Sequence, residues 1–381
     1  MRKMKLNSKL VLSSLAIVIL VMVVTTIAVS IVINRQNSDA AYDRIQNAMN
    51  IIRKDLQVKQ KKIVQDAQQA ATLDGMGGKT KFLYDYKEAD DQSITQNTFR
   101  EIGSTLFNIA STSDIWEVGI YDAEGDLKSF AVETGDETYA IGYFPGKSKA
   151  KAWGMSLKRG EQIKPDAWKA FESLPRININ AAYKGEIPRE ASVQFAPMQN
   201  HMCLIATAPI VAEEYDKNTD GLVERQFGFS LAVRRLDKTF LADMSAFTGL
   251  DINIFTSQGL SIGDLKAYAT LKSENSGGPD GAWTLADQDV LLNEIQLEKG
   301  DYFQGVLPLF GRTGRTGAIA ALFSKDIVKA NTWQMIRLLG IIYLACILII
   351  IPLTFLFSNS IARPIGKIIS GLTEGSDQVA S

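Results

Sequence analysis

Histidine and cysteine, two residue types that often carry catalysis, are scarce in this chain of 381 residues. His201 is the only histidine, so a zinc site with two histidines is excluded, and so is a further histidine-based triad elsewhere. It lies between Asn200 and Met202 in a predicted hairpin, where we expect an exposed turn position. The sequence also has no Walker-type loop. We therefore predict no catalytic residue, no cofactor and no metal site.

One acidic stretch has the spacing of calcium ligands. Residues 216–221 read Asp-Lys-Asn-Thr-Asp-Gly, which matches the first half of an EF-hand loop, where alternating oxygens face the ion and glycine permits the turn. The twelfth position is Phe227 instead of glutamate, and the stretch lies between predicted strands. We expect a solvated connection. A partial calcium site, with Glu224 as the substitute carboxylate, is the alternative.

Residues suited to holding a small ligand occur between positions 115 and 190. Alternation in the predicted strand 115–121 turns Trp116, Val118 and Ile120 to a helix and Tyr121, with its polar and small neighbours, to the opposite face. If the segment 133–190 folds over that face, its aromatic side chains can form walls and its guanidinium groups can bind a carboxylate.

The predicted ligand-binding residues are aromatic, basic or small polar side chains of these strands and of the covering segment: Tyr121, Trp153, Arg159, Trp168, Tyr183, Arg189 and Ser230. We expect an anionic or zwitterionic small molecule, because two arginines flanked by aromatic walls suit a small carboxylate. The alternative is that the aromatic residues pack in the core and the arginines are solvated.

Two apolar segments, residues 10–33 and 338–357, contain no charged side chain and are long enough to span a bilayer. A cleaved secretory signal is the alternative for the first segment, but its apolar run exceeds the usual signal core. Basic residues precede the first span, and Arg363 and Lys367 follow the second. The positive-inside bias therefore predicts both termini in the cytoplasm and residues 34–337 outside.

Charge and cysteine content exclude other classes. The formal net charge is −1, with 41 basic and 42 acidic residues, so no broad positive field is available for a nucleic acid. The two cysteines, Cys203 and Cys346, fall in the outer segment and in the second span. Their predicted positions forbid an intramolecular disulfide, so the outer segment must fold on its hydrophobic cores.

The outer segment shows two successive runs of a helix followed by strands. In the first run, the helix that continues from the first span is predicted to end near residues 74–78. The further elements of this run are predicted at residues 98–110 (helix), 115–132 (hairpin), 165–174 (helix), 192–197, 202–210 and 225–233 (strands). The second run is predicted at residues 236–247 (helix), 250–255 (strand), 284–297 (helix), 302–309 and 317–323 (strands). A last helix then leads from residue 324 into the second span.

This order of elements between two spans resembles the double Cache sensors of bacteria. The resemblance rests on residues 115–125, Ile-Trp-Glu-Val-Gly-Ile-Tyr-Asp-Ala-Glu-Gly, on residues 248–255 and on residues 302–309. It implies an α+β fold with two PAS-like modules on a long helix, and small-molecule binding in the membrane-distal module. The Arg-x-Trp-Tyr run of the amino-acid-binding subgroup is not matched, since residues 151–154 read Lys-Ala-Trp-Gly.

The segment after the second span resembles the start of a HAMP linker. Residues 360–365 read Ser-Ile-Ala-Arg-Pro-Ile, and residues 371–380 are similar to stretches of methyl-accepting chemotaxis proteins. The predicted domains are a cytoplasmic N-terminus (1–9), transmembrane helix 1 (10–33), a long helix with the membrane-distal module (34–235), the membrane-proximal module (236–323), a helix with transmembrane helix 2 (324–357) and the HAMP-like start (358–381).

The expected function is small-molecule sensing and transmembrane signalling, as the input part of a chemotaxis receptor in a bacterial inner membrane. Partial heptads after both spans favour a homodimer. A sensor of a histidine kinase or cyclase, or a membrane-tethered structural or adhesion module without signalling, is the alternative.

Overall fold

The structure is a computed structural model that describes residues 6–88, 93–135, 137–145, 152–171, 179–218, 220–271, 290–312 and 314–379. Within these residues there are five α-helices and thirteen β-strands, and the strands form two sheets. Helices come before strands in each of the two runs, as the sequence predicts. The α+β class on a long N-terminal helix is therefore confirmed.

Helix α1 spans Leu6–Thr72. It ends where Asp74 and Gly75 take left-handed backbone conformations, with φ of 53° and 71°, which interrupts the helical hydrogen bonds at the predicted place. Its second half packs on protein through apolar positions of helical spacing, all nearly inaccessible to solvent: Ile45, Met49, Ile52, Leu56 and Ile63. The continuation of the first apolar segment as an amphipathic helix is thus observed.

Two further helices follow. Helix α2, Met76–Asp85, is not predicted, because Gly77 and Gly78 in its first turn lower its helix propensity. Helix α3, Ser93–Thr112, includes the predicted residues 98–110. Its buried face carries Phe99, Ile102, Leu106 and Ile109, the residues on whose spacing that prediction depends.

The first sheet has eight strands in the order β5-β4-β3-β2-β1-β8-β7-β6, and each neighbouring pair is antiparallel. Its strands are β1 Glu117–Asp122, β2 Leu127–Gly135, β3 Thr138–Tyr143, β4 Ala152–Lys158, β5 Lys169–Phe171, β6 Ser192–Met198, β7 His201–Asp216 and β8 Gly221–Arg235. The predicted hairpin and the later strands of the first run are confirmed.

The prediction of a helix at residues 165–174 is wrong for residues 165–171, the part that the structure describes. Pro165–Ala167 form a single 3-10 turn, and Lys169–Phe171 form the edge strand β5. Residues 172–174 lie outside the described residues. Pro165 occupies the first turn as expected, but the backbone at Trp168 is already extended, so one turn is the whole helix.

The second run begins with helix α4, Lys238–Thr248. The Asp237 side chain accepts a hydrogen bond from Phe240 N at 3.0 Å and caps the helix. The second sheet has the order β10-β9-β13-β12-β11. Its strands are β9 Asp251–Thr256, β10 Gly259–Gly263, β11 Leu291–Leu297, β12 Gly300–Gly311 and β13 Gly314–Ser324.

The prediction of a helix at residues 284–297 is also wrong for the part of this range that the structure describes. Residues 291–297 form strand β11, while residues 284–289 lie outside the described residues. Leu291, Leu292 and Ile295 are spaced as on a helix, but tertiary pairing with β12 overrides this weak local signal.

Helix α5, Lys325–Val379, begins directly after β13. The most apolar 18-residue windows of α1 and α5 have mean hydropathies of 3.0 and 2.6, so both helices are long and apolar enough to cross a membrane by length and composition. Helix α5 and residues 6–44 of α1 belong to one compact unit, in which Asn37 donates a hydrogen bond to Thr332 at 3.0 Å. A second unit comprises residues 45–297 and 304–322.

The first sheet has a helix face and an opposite face. On the helix face, Tyr143 stacks on Phe99 of α3 with ring centroids 5.0 Å apart, and Tyr139 meets Phe107 at 5.8 Å. The opposite face carries a second apolar cluster, which includes Phe130, Phe229 and Leu231. Because both faces of this sheet are buried, the alternation of polar and apolar residues does not predict the sheet as a whole.

Candidate functional site

Tyr121, the centre of the predicted site, lies on the opposite face. It faces Phe229 in the β1–β8 pair, and the two rings stack with centroids 5.1 Å apart and an interplanar angle of 5°. Tyr183 meets both rings edge to face, at 6.1 Å from Tyr121 and 4.9 Å from Phe229. The Tyr121 hydroxyl donates to Asn180 O at 3.0 Å. Burial, and then the charge of Glu117, raise the pKa of Tyr121, so this hydroxyl is a neutral donor.

Residues 179–190, hereafter the cover segment, hold Tyr183 over this face. Tyr183 N donates to Gly125 O at 2.8 Å, and Leu127 N donates to Ala181 O at 3.0 Å. Gly125 has φ of +85°, and atoms of Tyr183 lie 3.4 Å from the place where a Cβ would be. The positive φ favours a glycine in the β1–β2 turn, and a Cβ at this position would be in van der Waals contact with the cover segment.

Most of the segment 133–190 does not cover the face, contrary to expectation. It supplies β3, β4 and β5, which widen the sheet. Trp153 faces Tyr143 in the β3–β4 pair, and Trp168 is buried with its ring 5.5 Å from that of Tyr143. Because Tyr143 packs on α3, Trp168 contributes to the core on the helix face and is remote from the Tyr121 ring stack.

Ser230 also lies on the helix face. It pairs with Ile120, one register position from the Tyr121 and Phe229 pair, and its hydroxyl donates to Ala67 O of α1 at 2.6 Å. Ser230 and Tyr121, both predicted to bind the ligand, therefore lie on opposite faces of the sheet. The face under the cover segment is aromatic, because the odd-numbered positions of β8 are on the same side as Tyr121.

The two predicted arginines line different cavities. Arg189 lines a cavity of about 460 Å³, together with Tyr183 and the last residues of the cover segment. Arg159 lines a cavity of about 660 Å³ and donates to the Tyr139 hydroxyl at 3.0 Å. A clamp in which both arginines bind one carboxylate is not formed in this structure. A ligand role for each of these residues stays a prediction.

The smaller cavity lies between the cover segment, β6, β7 and the hairpin that joins β12 to β13. Arg312 of this hairpin forms an ion pair with Glu186 of the cover segment. Thr316 donates to Phe195 O of β6 at 3.3 Å. The hairpin therefore links the cover segment to the strand that precedes α5.

Apart from Arg159, the larger cavity is lined by residues that were not predicted to bind a ligand. Arg234 and Arg235, at the end of β8, line it together with Trp116 and Glu133. Trp116 was expected on the helix face, but it packs in the apolar cluster of the opposite face. Two consecutive arginines directly after a predicted strand, at 234 and 235, are the sequence signal that could have indicated this cavity.

Glu117 is the most deeply buried carboxylate of the sheet, with 1% of its surface exposed. Its Oε2 atom has no hydrogen-bond partner within the described residues. Burial raises the pKa of Glu117 to about 7, and the charge of Arg235 opposes this shift. As the alternation predicts, Glu117 is on the same side of β1 as Tyr121.

The remaining sequence signals form no site in the described chain. Asp216 and Asp220 flank the β7–β8 turn, where Asn218 N donates to Asp216 Oδ1 at 2.9 Å. Among the described residues no group of three or more His, Cys, Asp or Glu could hold a metal ion. His201 begins β7 and is half-buried instead of exposed, and burial lowers its pKa.

The pattern Gly-x-Ser-x-Gly occurs at Gly259–Gly263. Serine hydrolases place this serine in a sharp turn between a strand and a helix. Here the whole pattern forms strand β10, and the Ser261 hydroxyl accepts a hydrogen bond from Met202 N at 3.0 Å. The pattern therefore does not form a nucleophile elbow.

Comparison with protein-family models found no match, and comparison with curated protein sequences found none. Among solved structures, an extracellular domain described as that of a histidine kinase is similar, with a TM-score of 0.45 and 8% identity over 77% of this chain and 96% of that one. The ligand-binding domain of the Campylobacter jejuni chemoreceptor Tlp3, in complex with 4-methylisoleucine, has a TM-score of 0.42 and 10% identity over 78% and 94%.

The ligand-binding domain of the Pseudomonas fluorescens chemoreceptor CtaA, in complex with L-isoleucine, has a TM-score of 0.35 and 12% identity over 77% and 97% of the two chains. The first of these structures is described as an extracellular domain, and the other two as ligand-binding domains of chemoreceptors.

Proposed function

We propose that this chain is a membrane-anchored sensor, which binds a small molecule outside the cytoplasm and transmits the binding event through α5. The observation that carries the proposal is the junction of sheet and helix. Strand β13 ends at Ser324, and α5 begins at Lys325 and continues without interruption through the apolar segment to Val379. A helix attached directly to a sheet transmits a displacement that a flexible linker would absorb.

The location follows from the two apolar helices. Both have the length and composition of membrane spans, and basic residues lie before the first and after the second. We infer a bacterial inner-membrane protein that crosses twice, with residues 34–337 outside and with the HAMP-like start at residues 358–381 in the cytoplasm. A chemotaxis receptor is the output that we favour.

The ligand site in this proposal is the aromatic face beneath the cover segment. Tyr121 and Phe229 form a rigid floor because they are buried within the sheet, whereas Tyr183 is only half-buried. Arg189 lies on the exposed side of the same segment. An apolar floor with a cation at its edge suits a small carboxylate or an amino acid.

The route from this site to α5 passes through the β12–β13 hairpin. A ligand that moves the cover segment changes the position of Glu186, which pairs with Arg312 of the hairpin. Thr316, at the start of β13, bonds to Phe195 O of the distal sheet. Because β13 continues into α5, a displacement of the hairpin is transmitted along β13 and α5 to the second span.

A thermal-shift screen of the full chain in lipid nanodiscs tests the proposal. The probes are the twenty amino acids and small organic acids such as acetate, lactate and succinate. A compound that binds only the native state must raise the unfolding temperature, and the rise should disappear in Tyr183→Ala. Tyr215→Ala is the matched control, because Tyr215 is 56% exposed on the β7–β8 hairpin.

If a well-folded parent is stabilised by none of these compounds, the sensor proposal fails and a structural or adhesion module is favoured. Equal stabilisation of the parent and of Tyr183→Ala would support the sensor proposal, but it would show that the cover segment is not part of the ligand site.

A further inference from the structure

Strand β6 is at the edge of the first sheet and pairs with β7 on one side. Within the described residues no strand pairs with its other side. Such an edge presents backbone N–H and C=O groups to which a further strand can bind. The smaller cavity, of about 460 Å³, lies along this edge, where Ser192, Val193 and Gln194 line it.

The strand register shows which backbone groups of β6 point away from β7. Met202 O accepts a hydrogen bond from Leu236 N at 2.9 Å, so the backbone groups of Met202 point toward β8. Alternate residues of a strand repeat this orientation, so the groups of Ala206, four positions further on, also point toward β8. The partner of Ala206 in β6 is Val193. The N–H and C=O groups of Val193 therefore point to the free edge.

The residues that alternate with Val193 along β6 agree with this orientation. Pro197 has no N–H group, and proline is tolerated in an edge strand where its nitrogen faces away from the ladder. Phe195 O accepts a hydrogen bond from Thr316 at 3.3 Å, and a Cβ on Gly311 would lie 2.7 Å from that oxygen. The β12–β13 hairpin thus covers the edge at Phe195, and the cavity lies beside the partly exposed Val193.

The walls of this cavity carry both signs of charge on accessible side chains. Arg189 and Glu190 are exposed residues of the cover segment. Arg312 and Glu186, which form an ion pair, have side chains that are 52% and 80% exposed. Two cations and two carboxylates suit a ligand that carries an ammonium group and a carboxylate at separate ends.

The remaining lining is apolar or carries hydroxyl groups. Tyr183 and Phe310 are its aromatic residues, and Phe310 is 36% exposed. The hydroxyl groups of Ser192 and Thr207 lie 3.1 Å apart and form a hydrogen bond. Apolar contact beside a strand edge gives an extended ligand a surface for its side chains in addition to main-chain hydrogen bonds.

We propose that the smaller cavity binds a peptide of about three residues in an extended conformation, which pairs with the free edge of β6 at Val193. Three residues of β6 line the cavity, and this sets the length of the peptide. Its terminal carboxylate is bound by an arginine of the walls and its terminal ammonium group by a glutamate. This is a second ligand site, and it does not rest on the site proposed for the sensor at the Tyr121 ring stack.

Calorimetry on the full chain in lipid nanodiscs tests this site, with the homotripeptides of alanine, valine and serine as probes. At least one tripeptide should bind the parent protein, and more tightly than its free amino acid does. The same tripeptide with both amide nitrogens methylated should bind about tenfold more weakly, because it cannot donate a hydrogen bond to Val193 O.

A variant of the strand edge tests the same contact from the protein side. Val193→Pro removes the N–H group that points to the cavity and leaves the hydrogen bonds between β6 and β7 in place, so tripeptide binding should weaken about tenfold. Val193→Ala is the matched control, because it shortens the side chain, retains the N–H group and should bind as the parent does.

The inference is overturned if no tripeptide binds, if methylation of the amides leaves the affinity unchanged, or if Val193→Pro binds as tightly as Val193→Ala. If Val193→Pro does not fold, the comparison of methylated and unmethylated peptides on the parent protein decides. Amino acids that stabilise the parent and not Tyr183→Ala, together with no binding of any tripeptide, would overturn this inference and support the proposed sensor site.

Discussion

Glu117 shows at the scale of one residue how tertiary structure changes the chemistry of a side chain. Its place on β1, beside Tyr121, follows from alternation, but its burial follows from the sheets and segments that close around it. A carboxylate that is 1% exposed, with one oxygen lacking a hydrogen-bond partner in the described chain, is costly to ionise. Its pKa of about 7 makes the residue a source of pH-dependent stability.

We predict that the Glu117→Gln variant is less sensitive to pH than the parent. The folded-state pKa of Glu117 is raised from 4.5 to about 7, so between these values the folded state binds more protons than the unfolded state. The parent therefore loses stability as pH rises through this window, by at most about 3 kcal/mol. Unfolding temperatures of both proteins, measured from pH 5 to pH 8, should diverge as pH rises. Parallel curves would contradict the prediction.

At the scale of the element, α1 has a buried stripe and an exposed one. Ile52, which falls on the heptad-like stripe expected to form a dimer, is fully buried in the core of its own chain. In the part of α1 after the apolar segment, the exposed large apolar residues are Ile51 and Val58, at 44% and 64% exposure and seven residues apart. This spacing places them on one side of the helix, as in a coiled-coil contact. Lysines and glutamines surround them, so the stripe is narrow.

We predict that the sensor is a homodimer in which the α1 helices meet near these residues. Single cysteines at Ile51 or Val58 of the full chain in membranes should form disulfide-linked dimers under mild oxidation. A cysteine at the buried Ile52 is the control and should not form disulfide-linked dimers. The dimer is supported if the fraction of crosslinked chains at Ile51 or Val58 exceeds that at Ile52. Equal crosslinked fractions at these three positions would argue for a monomer.

At the scale of the whole molecule, the proposed transmission of ligand binding depends on the junction of β13 and α5. We predict that inserting two glycines between Ser324 and Lys325 leaves ligand binding unchanged but abolishes transmission, because glycine residues disorder the helix start. The readout is the labelling rate of a cysteine at Ile368 of α5, with and without the compound that stabilises the parent. A ligand-dependent rate that persists in the insertion variant would exclude α5 as the route.

The elements that the sequence predicts well depend on local periodicity. The long α1 and α3, the β1–β2 hairpin and the continuation of β13 into α5 follow from residues close together in the chain. Strands β3, β4, β5 and β11 are not predicted, because each is stabilised by a neighbouring strand that the local pattern does not show. The helices expected at residues 165–174 and 284–297 fail for the same reason.

By itself, the sequence determined that two apolar helices flank an α+β segment, and that Glu117 and Tyr121 share one side of a strand, since both follow from residue type and spacing. Only the tertiary structure decided which side of β8 faces Tyr121, and it placed Ser230 against α1 and Phe229 beneath the cover segment. It also separated Arg159 from Arg189 and brought Arg234 and Arg235 to one cavity. The physical reason is that strand register and the path of long connections depend on contacts between distant residues, which no local pattern contains.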